Sequence, residues 1–361
     1  MVETKVKERL FSLDLLRGLD MFLLTVIGPF VLALGKTVTL PGGVAGQFRH
    51  GWECFTLWDI IMPLFIFMSG AAVPFALRKR LENGRSGWVY WRHVLIRFAF
   101  LWFLGLVAQG RLMTLDPLKI SPFNNTLQSI AVGYLLSAVV FRIPSRRVQV
   151  AIPIGLAIAY AALLHCLGDY TMTGNFAQRV ENAVVPLLTP VGNKALELAD
   201  PGYTWWLTSM MFGTMSLCGM ESTLILTADT DGKLRFWRLF ALGVVLEIVG
   251  WTLVPWIPVI KPIYTLTFTA QAMGWCCLAL ALLFLMTDVF RFRRGLGLFT
   301  LFGQTALLAY MCIEVFGETF GMFASTVTQG FGPVAAPLVQ WFAVSVLLVV
   351  VLYCWRRGKV K

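Results

Sequence analysis

The chain has 361 residues, of which 58% are hydrophobic and only 14% charged, and it carries a formal net charge of +11 with a mean hydropathy of +0.74. That balance excludes an ordinary water-soluble domain, whose single core could not absorb so much apolar surface. Runs of about 20 apolar residues, the length a helix needs to cross a hydrocarbon core of roughly 30 Å, are the units to look for.

In chain order the sequence predicts ten such spans, over 13–35, 56–77, 94–110, 125–141, 148–166, 205–227, 239–257, 263–286, 299–318 and 335–354. The expected fold class is all-α, a polytopic bundle of transmembrane helices forming a single domain over 1–361. The Gly, Pro and lone polar residues within the spans are tolerated because neighbouring helices can satisfy freed backbone groups. The longest polar stretches, 36–55 and 167–204, are outer loops. The second carries Pro186, Pro190, Gly192, Pro201 and Gly202, so it reads as an irregular loop with room for one short helix.

Orientation follows from Lys and Arg, which are retained in cytoplasmic loops. With the N-terminus inside, the inner segments hold 22 of the 30 cationic residues and the outer loops 7, with Arg17 inside the first span. An even span count then puts both termini in the cytoplasm. Because the positive charge sits in short turns beside apolar spans, it calls for anionic lipid headgroups rather than nucleic acid. The seven cysteines form no CxxC pair and no zinc spacing, and no metal site is expected. Cys54 and Cys166 both fall near the outer face, where a disulfide between them is conceivable. No cleavable signal peptide is evident, since the first apolar stretch begins with charges and is followed by nine more spans.

Charges inside a membrane are costly and usually face the bundle interior, which makes them the best pointers to function. In the first span, Asp14, Arg17 and Asp20 are spaced three apart, on one helix face. They read either as a structural ion pair or as a place where Arg17 holds an anionic ligand. The second constellation is QFRHGWECFTLWD, residues 47–59, where His50, Glu53 and Asp59 crowd one membrane edge with Trp52 and Trp58. Histidine suits proton transfer near neutrality, and a neighbouring carboxylate can orient its ring, so His50 pairs as a base with Asp59 or Glu53. Of the other histidines, His93 falls in a cytoplasmic turn and His165 at the outer end of the fifth span. Gln128, Gln271 and Gln304 read as channel lining or as interhelical hydrogen-bonding groups. Asn124-Asn125-Thr126 matches a glycosylation sequon but is better placed to cap the fourth span. No nucleophile elbow, HExxH pair, P-loop or dinucleotide fingerprint is present.

The run SLDLLRGLDMF, followed by QFRHGWECFTLWDIIMPLFIFMSGAAVPFALRKR, resembles the bacterial branch of the heparan-alpha-glucosaminide N-acetyltransferase family of transmembrane acyltransferases. Weaker echoes are NNTLQSIAVGYLL, TWWLTSMMFGTMSLCGM, PVIKPIYTLTFTAQAMG and GQTALLAYMCIEVF. The resemblance implies transfer of an acetyl or longer acyl group from cytoplasmic acetyl-CoA to a sugar amine or hydroxyl of a glycan on the far side of a bacterial inner membrane. By motif, the family's histidine falls on His50 and the Asp opening the next span on Asp59, while Asp14, Arg17, Gln128 and Gln304 fall on positions that would serve the donor. A homodimer is compatible with this reading. The chain departs from the family pattern in a loop one residue shorter, with Trp52 two residues after His50 and Cys54 in place of a glycine, and in Ile27-Gly28 where many relatives have Asn. The alternative from a different class is a secondary transporter or flippase for a sugar or lipid-linked substrate, with Glu221 and Glu247 as its intramembrane acids. No inverted repeat supports it.

Overall fold

The computed structural model describes residues 10–39, 41–82, 87–108, 112–116, 120–188, 202–328, 330–332 and 335–360. Arg85, Arg111, Lys119, Pro190, Gly192, Lys194 and Pro201 lie outside them, as does the N-terminal segment with Lys5, Lys7 and Arg9. The described chain is helical throughout, with one isolated antiparallel bridge between Glu53 and Ile260. The helices are α1 Phe11–Gly35, α2 Leu57–Arg78, α3 Gly87–Ala108, α4 Thr126–Phe141, α5 Arg146–Leu167, α6 Phe176–Leu188, α7 Ser209–Leu226, α8 Gly232–Leu253, α9 Leu266–Val289, α10 Gly297–Gln304, α11 Ala306–Val327 and α12 Ala336–Val360.

Eight of these, α1, α2, α3, α5, α8, α9, α11 and α12, are long and apolar enough to cross a bilayer. Their outward residues are large and apolar, as in Ile96, Phe100 and Phe103 of α3, Ile154 and Ile158 of α5, and Phe342, Val346 and Val350 of α12. Surfaces of that kind do not face water in a monomeric soluble protein. The other two predicted spans are helices, but α4 has 16 residues, about 24 Å at 1.5 Å per residue, short of the hydrocarbon thickness. α7 has 18 residues and is diluted by Glu221 and by small polar side chains. The span predicted over 299–318 is interrupted: α10 ends at Gln304 and α11 starts at Ala306, with Thr305 at φ −119°, ψ 22° between them. An apolar run conceals such a break because hydropathy does not register backbone angles. α3 begins at Gly87, so His93 lies in a helix rather than in a turn.

Internal contacts divide the chain into two compact units. Among the described residues the first comprises Trp52–Phe55 and the greater part of Met62–Leu285. Small residues let its helices touch at the backbone: a Cβ on Gly70 would meet the Ser216 carbonyl oxygen at 1.7 Å, and one on Gly219 the Phe67 carbonyl oxygen at 1.8 Å. Hydroxyls complete this seam, with Ser137 donating to Ser216 at 2.8 Å and Thr223 to the Ala71 carbonyl at 2.8 Å. This is membrane-style packing, in which close approach and hydrogen bonds replace the hydrophobic drive. α8 and α9 pair through Gly243, Gly250 and Gly274, and Glu247 of α8 lies against Gly274. Glu221 of α7 is tied to Arg146 by an ion pair that includes a 2.8 Å hydrogen bond.

The second unit comprises Phe11–Gly51, Thr56–Ile61 and Met286–Lys361. α1 crosses α10 at two glycines: a Cβ on Gly18 would lie 1.8 Å from the Phe299 carbonyl oxygen, and one on Gly303 1.9 Å from that of Asp14. Phe22 sits edge-on against Phe299 and Phe302 beside this crossing. The backbone N–H groups of Phe11 and Ser12 donate to the Asp288 carboxylate at 3.1 and 2.9 Å, satisfying two of the donors a helix start leaves open. α1 widens into a π-helical turn over Leu23–Ile27, where the Trp341 indole donates to the Val26 carbonyl at 2.8 Å.

Candidate functional site

The segment between α1 and α2 is fastened to the start of α2. Thr56 is the N-cap of a short 3₁₀ turn, Leu57–Ile60, and Asp59 is its third residue. The two form a reciprocal capping box, the Thr56 side chain accepting from the Asp59 backbone N–H and the Thr56 N–H donating to Asp59 Oδ2 at 3.0 Å, and the Thr56 hydroxyl also donates to Oδ2 at 2.7 Å. Gln47 adds a second clasp, its side-chain oxygen accepting from the Leu57 N–H at 3.0 Å and its carbonyl from the Trp58 N–H at 3.1 Å.

These contacts bring His50 onto Asp59. Nδ1 of the imidazole lies 2.6 Å from Asp59 Oδ1, with the carboxylate side chain 1% exposed and the histidine side chain 42% exposed. An ionised carboxylate only accepts, so Nδ1 carries the hydrogen and the neutral ring keeps its lone pair on Nε2. Asp59 therefore orients the ring, and an imidazole held so has the chemistry of a base or a nucleophile. Gly28 contributes room, because a Cβ there would sit 2.2 Å from the Trp58 indole. Phe48 packs on the same indole with ring centroids 5.8 Å apart.

Glu53, the other carboxylate considered for His50, belongs to the first unit and is exposed, its backbone bridged to Ile260. In that unit the Trp52 indole donates to the Tyr170 carbonyl at 2.9 Å. The Trp52 ring also packs against Gly202, whose φ of +85° is one that L side chains rarely adopt. Trp52 thus braces Tyr170 and Gly202. Cys54 and Cys166 are not joined to each other, so the conceivable disulfide is not formed.

Asp14 and Arg17 lie 3.8 Å apart on the early turns of α1, about 27 Å of helix rise from Arg17 to Gly35 and so far along the helix from the His50 loop. Asp20, the third member of that row, is buried, and neither of its carboxylate oxygens is hydrogen-bonded among the described residues. Gln128 is fully buried at the start of α4, accepting from the N–H groups of Asn124 and Asn125 at 2.9 and 3.1 Å and donating to the Pro122 carbonyl at 3.0 Å. Those bonds make it the third residue of a capping box whose N-cap is Asn125. Gln304 is exposed at the end of α10.

Two features escaped the sequence reading. The Thr56-to-Asp59 box is written as T-x-x-D ahead of an apolar run, a recognisable helix-start signature. The other is Glu181 of α6, which is buried and accepts from the backbone N–H groups of Trp205 and Trp206 at 2.9 and 3.1 Å. Burial pushes its carboxyl up to about 7, outweighing the two hydrogen bonds that pull it down. Nearby, exposed Asp169 is held below the usual carboxylate range by the Thr171 hydroxyl and N–H.

Residues 9–180 match a domain of unknown function, DUF5009, a stretch that contains both the His50–Asp59 pair and the Asp14–Arg17 pair and stops short of Gln304. No curated protein matches the chain.

Proposed function

We propose that the chain is a membrane-bound acyltransferase. In this reading ten helices cross a bacterial inner membrane, both termini are cytoplasmic, and an acetyl group from cytoplasmic acetyl-CoA is passed to a sugar amine or hydroxyl on the outer side. The observation that carries it is the 2.6 Å contact between His50 Nδ1 and a buried carboxylate that is itself fixed by Thr56. A histidine so oriented, on a loop and half exposed, has the form of a general base rather than of a structural ring. The separation along α1 of the Asp14–Arg17 pair from that loop suits a reaction whose donor and acceptor approach from opposite faces.

Chemically, Nε2 of His50 takes the proton of the acceptor amine or hydroxyl as its nitrogen or oxygen attacks the thioester carbonyl. The carbon–sulfur bond breaks, and the proton is returned to the departing thiolate. In the two-step variant, Nε2 attacks the thioester first, the thiolate leaves, and the acceptor then takes the acetyl group from the imidazole. The transporter reading is weakened by the pairing of Glu221 with Arg146, which gives that acid a structural task.

The test is His50→Ala. The variant should reach the membrane at the wild-type level and melt normally, yet incorporate no labelled acetyl into outer-face glycans. Unimpaired incorporation rejects the assignment. Indifference of the wild type's thermal stability to acetyl-CoA, together with gradient-driven sugar uptake in vesicles, would favour a transporter.

A further inference from the structure

In the first unit, far along the chain from the His50 loop, arginines from three elements gather around two tyrosines. The Arg97 guanidinium of α3 lies 4.5 Å from the centroid of the Tyr134 ring of α4. Arg142, just past α4, lies 5.8 Å from the Tyr90 ring and 5.9 Å from that of Trp91. Arg80, in the helical stretch Val73–Glu82, is within electrostatic reach of both His93 and Tyr134, as Arg97 is. Tyr90 and Tyr134 are buried in an apolar floor with Val73, Leu77, Val94, Ala138 and Leu217. The Tyr90 hydroxyl donates to the Ala138 carbonyl at 2.6 Å. The Tyr134 hydroxyl is buried beside Arg97 without a hydrogen bond of normal geometry.

Arg97 is ten residues into a helix apolar enough to cross a bilayer, about 15 Å from its start. A guanidinium partly withdrawn from water, as Arg97 is, is costly and calls for a partner. Among the described residues, neither Arg97, Arg80 nor Arg142 pairs with a carboxylate. One Arg80 nitrogen donates to the Ala76 carbonyl of its own helix. Like charges converging on a half-buried spot repel one another, and the missing component is an anion that accepts several N–H bonds at once. Guanidinium forks match the oxygens of a phosphate, and a buried tyrosine hydroxyl adds one more donor.

We propose that Arg80, Arg97 and the Tyr134 hydroxyl, with Arg142 at the rim, form a binding site for a phosphate-bearing anion. The same chemistry is offered by a soluble di- or monophosphate and by the headgroup of an acidic phospholipid. The site uses none of the residues around His50, so its test does not depend on the acyl-transfer reading.

The experiment uses the full chain, with inorganic pyrophosphate and ADP as soluble probes in detergent, and nanodiscs of phosphatidylglycerol against phosphatidylcholine for the lipid source. Thermal stability and calorimetric affinity are read for wild type, Arg80→Gln, Arg97→Gln, Arg97→Lys, and Arg92→Gln as an exposed control. Saturable stabilisation of the wild type by one of the two sources is expected, weakened at least about tenfold in Arg97→Gln and Arg80→Gln, partly restored in Arg97→Lys and unchanged in Arg92→Gln. His50→Ala should bind the anion as the wild type does, whatever its effect on acyl transfer. Should Arg97→Gln fail to fold, exposed Arg142→Gln reports instead and should also bind more weakly. Wild type indifferent to every probe, or variants that bind as tightly as wild type, overturns the proposal.

Discussion

Replacing Asp59 by Asn changes one atom and tests what the capping box does for the imidazole. The Asn side-chain oxygen can still accept from the Thr56 hydroxyl and N–H, which now bond at 2.7 and 3.0 Å, so the turn survives. The loss in stability should stay at about 1–2 kcal/mol, from exchanging a charged acceptor for a neutral one. The other half of the side chain, however, becomes an N–H₂ group facing His50 Nδ1 across what is now 2.6 Å. Two donors cannot share that contact, so the imidazole moves its hydrogen to Nε2 and loses the lone pair that abstracts the proton. General-base catalysis is worth about 10²–10⁴ in rate, or roughly 3–5 kcal/mol of barrier. Labelled-acetyl transfer by purified wild type, Asp59→Asn and Asp59→Glu, measured across pH alongside melting curves, reads both effects. A fall in rate of at least a hundredfold with a near-normal melt, and partial recovery in the Glu variant, is expected. A rate within about threefold of wild type, or one that falls only as folded protein is lost, refutes the orienting role.

Other perturbations follow from the same geometry. Gly303→Leu drives a side chain into the Asp14 carbonyl, which a Cβ would already approach to 1.9 Å, and should lower the melting temperature sharply or prevent folding of the second unit. Thr56→Val removes one of the two bonds that fix Asp59 Oδ2 and should cost about 1 kcal/mol in stability while loosening His50, seen as a lower transfer rate at normal expression. Glu181, raised from 4.5 to about 7 by burial, binds a proton more tightly folded than unfolded. Its contribution is therefore full below about pH 4.5 and is lost as pH rises through about 7, a change of roughly 3 kcal/mol at most. Thermal melts of the wild type should show that decline, and Glu181→Gln should flatten it.

The helices were legible because a run of about 20 apolar residues has few other uses. Length was legible as well: the stretch expected over 125–141 is the helix Thr126–Phe141, started by the capping box at Asn125 and Gln128. The break at Thr305 was invisible, since no Pro or charge in the run marks it and hydropathy does not register backbone angles. At the candidate site, residue type and proximity along the chain were enough to couple His50 with Asp59. They could not choose between Asp59 and Glu53, because that choice depends on the turn made by Thr56 and on the clasp by Gln47. Gln128 illustrates the converse: a motif position read for ligand chemistry turns out to spend both ends of its amide on local backbone. Asp20 was read as one member of a paired row, but three residues per step drift around a helix, and only Asp14 and Arg17 meet.

The most direct measurement is vectorial transfer in proteoliposomes sorted by orientation. Labelled acetyl-CoA is supplied only on the side that carries the arginine-rich segments, and an aminosugar acceptor only on the other. Label should appear on the acceptor with wild-type protein and not with His50→Ala. Label on the acceptor with His50→Ala, or none with wild-type protein that is folded and correctly inserted, would contradict a transmembrane transfer centred on His50.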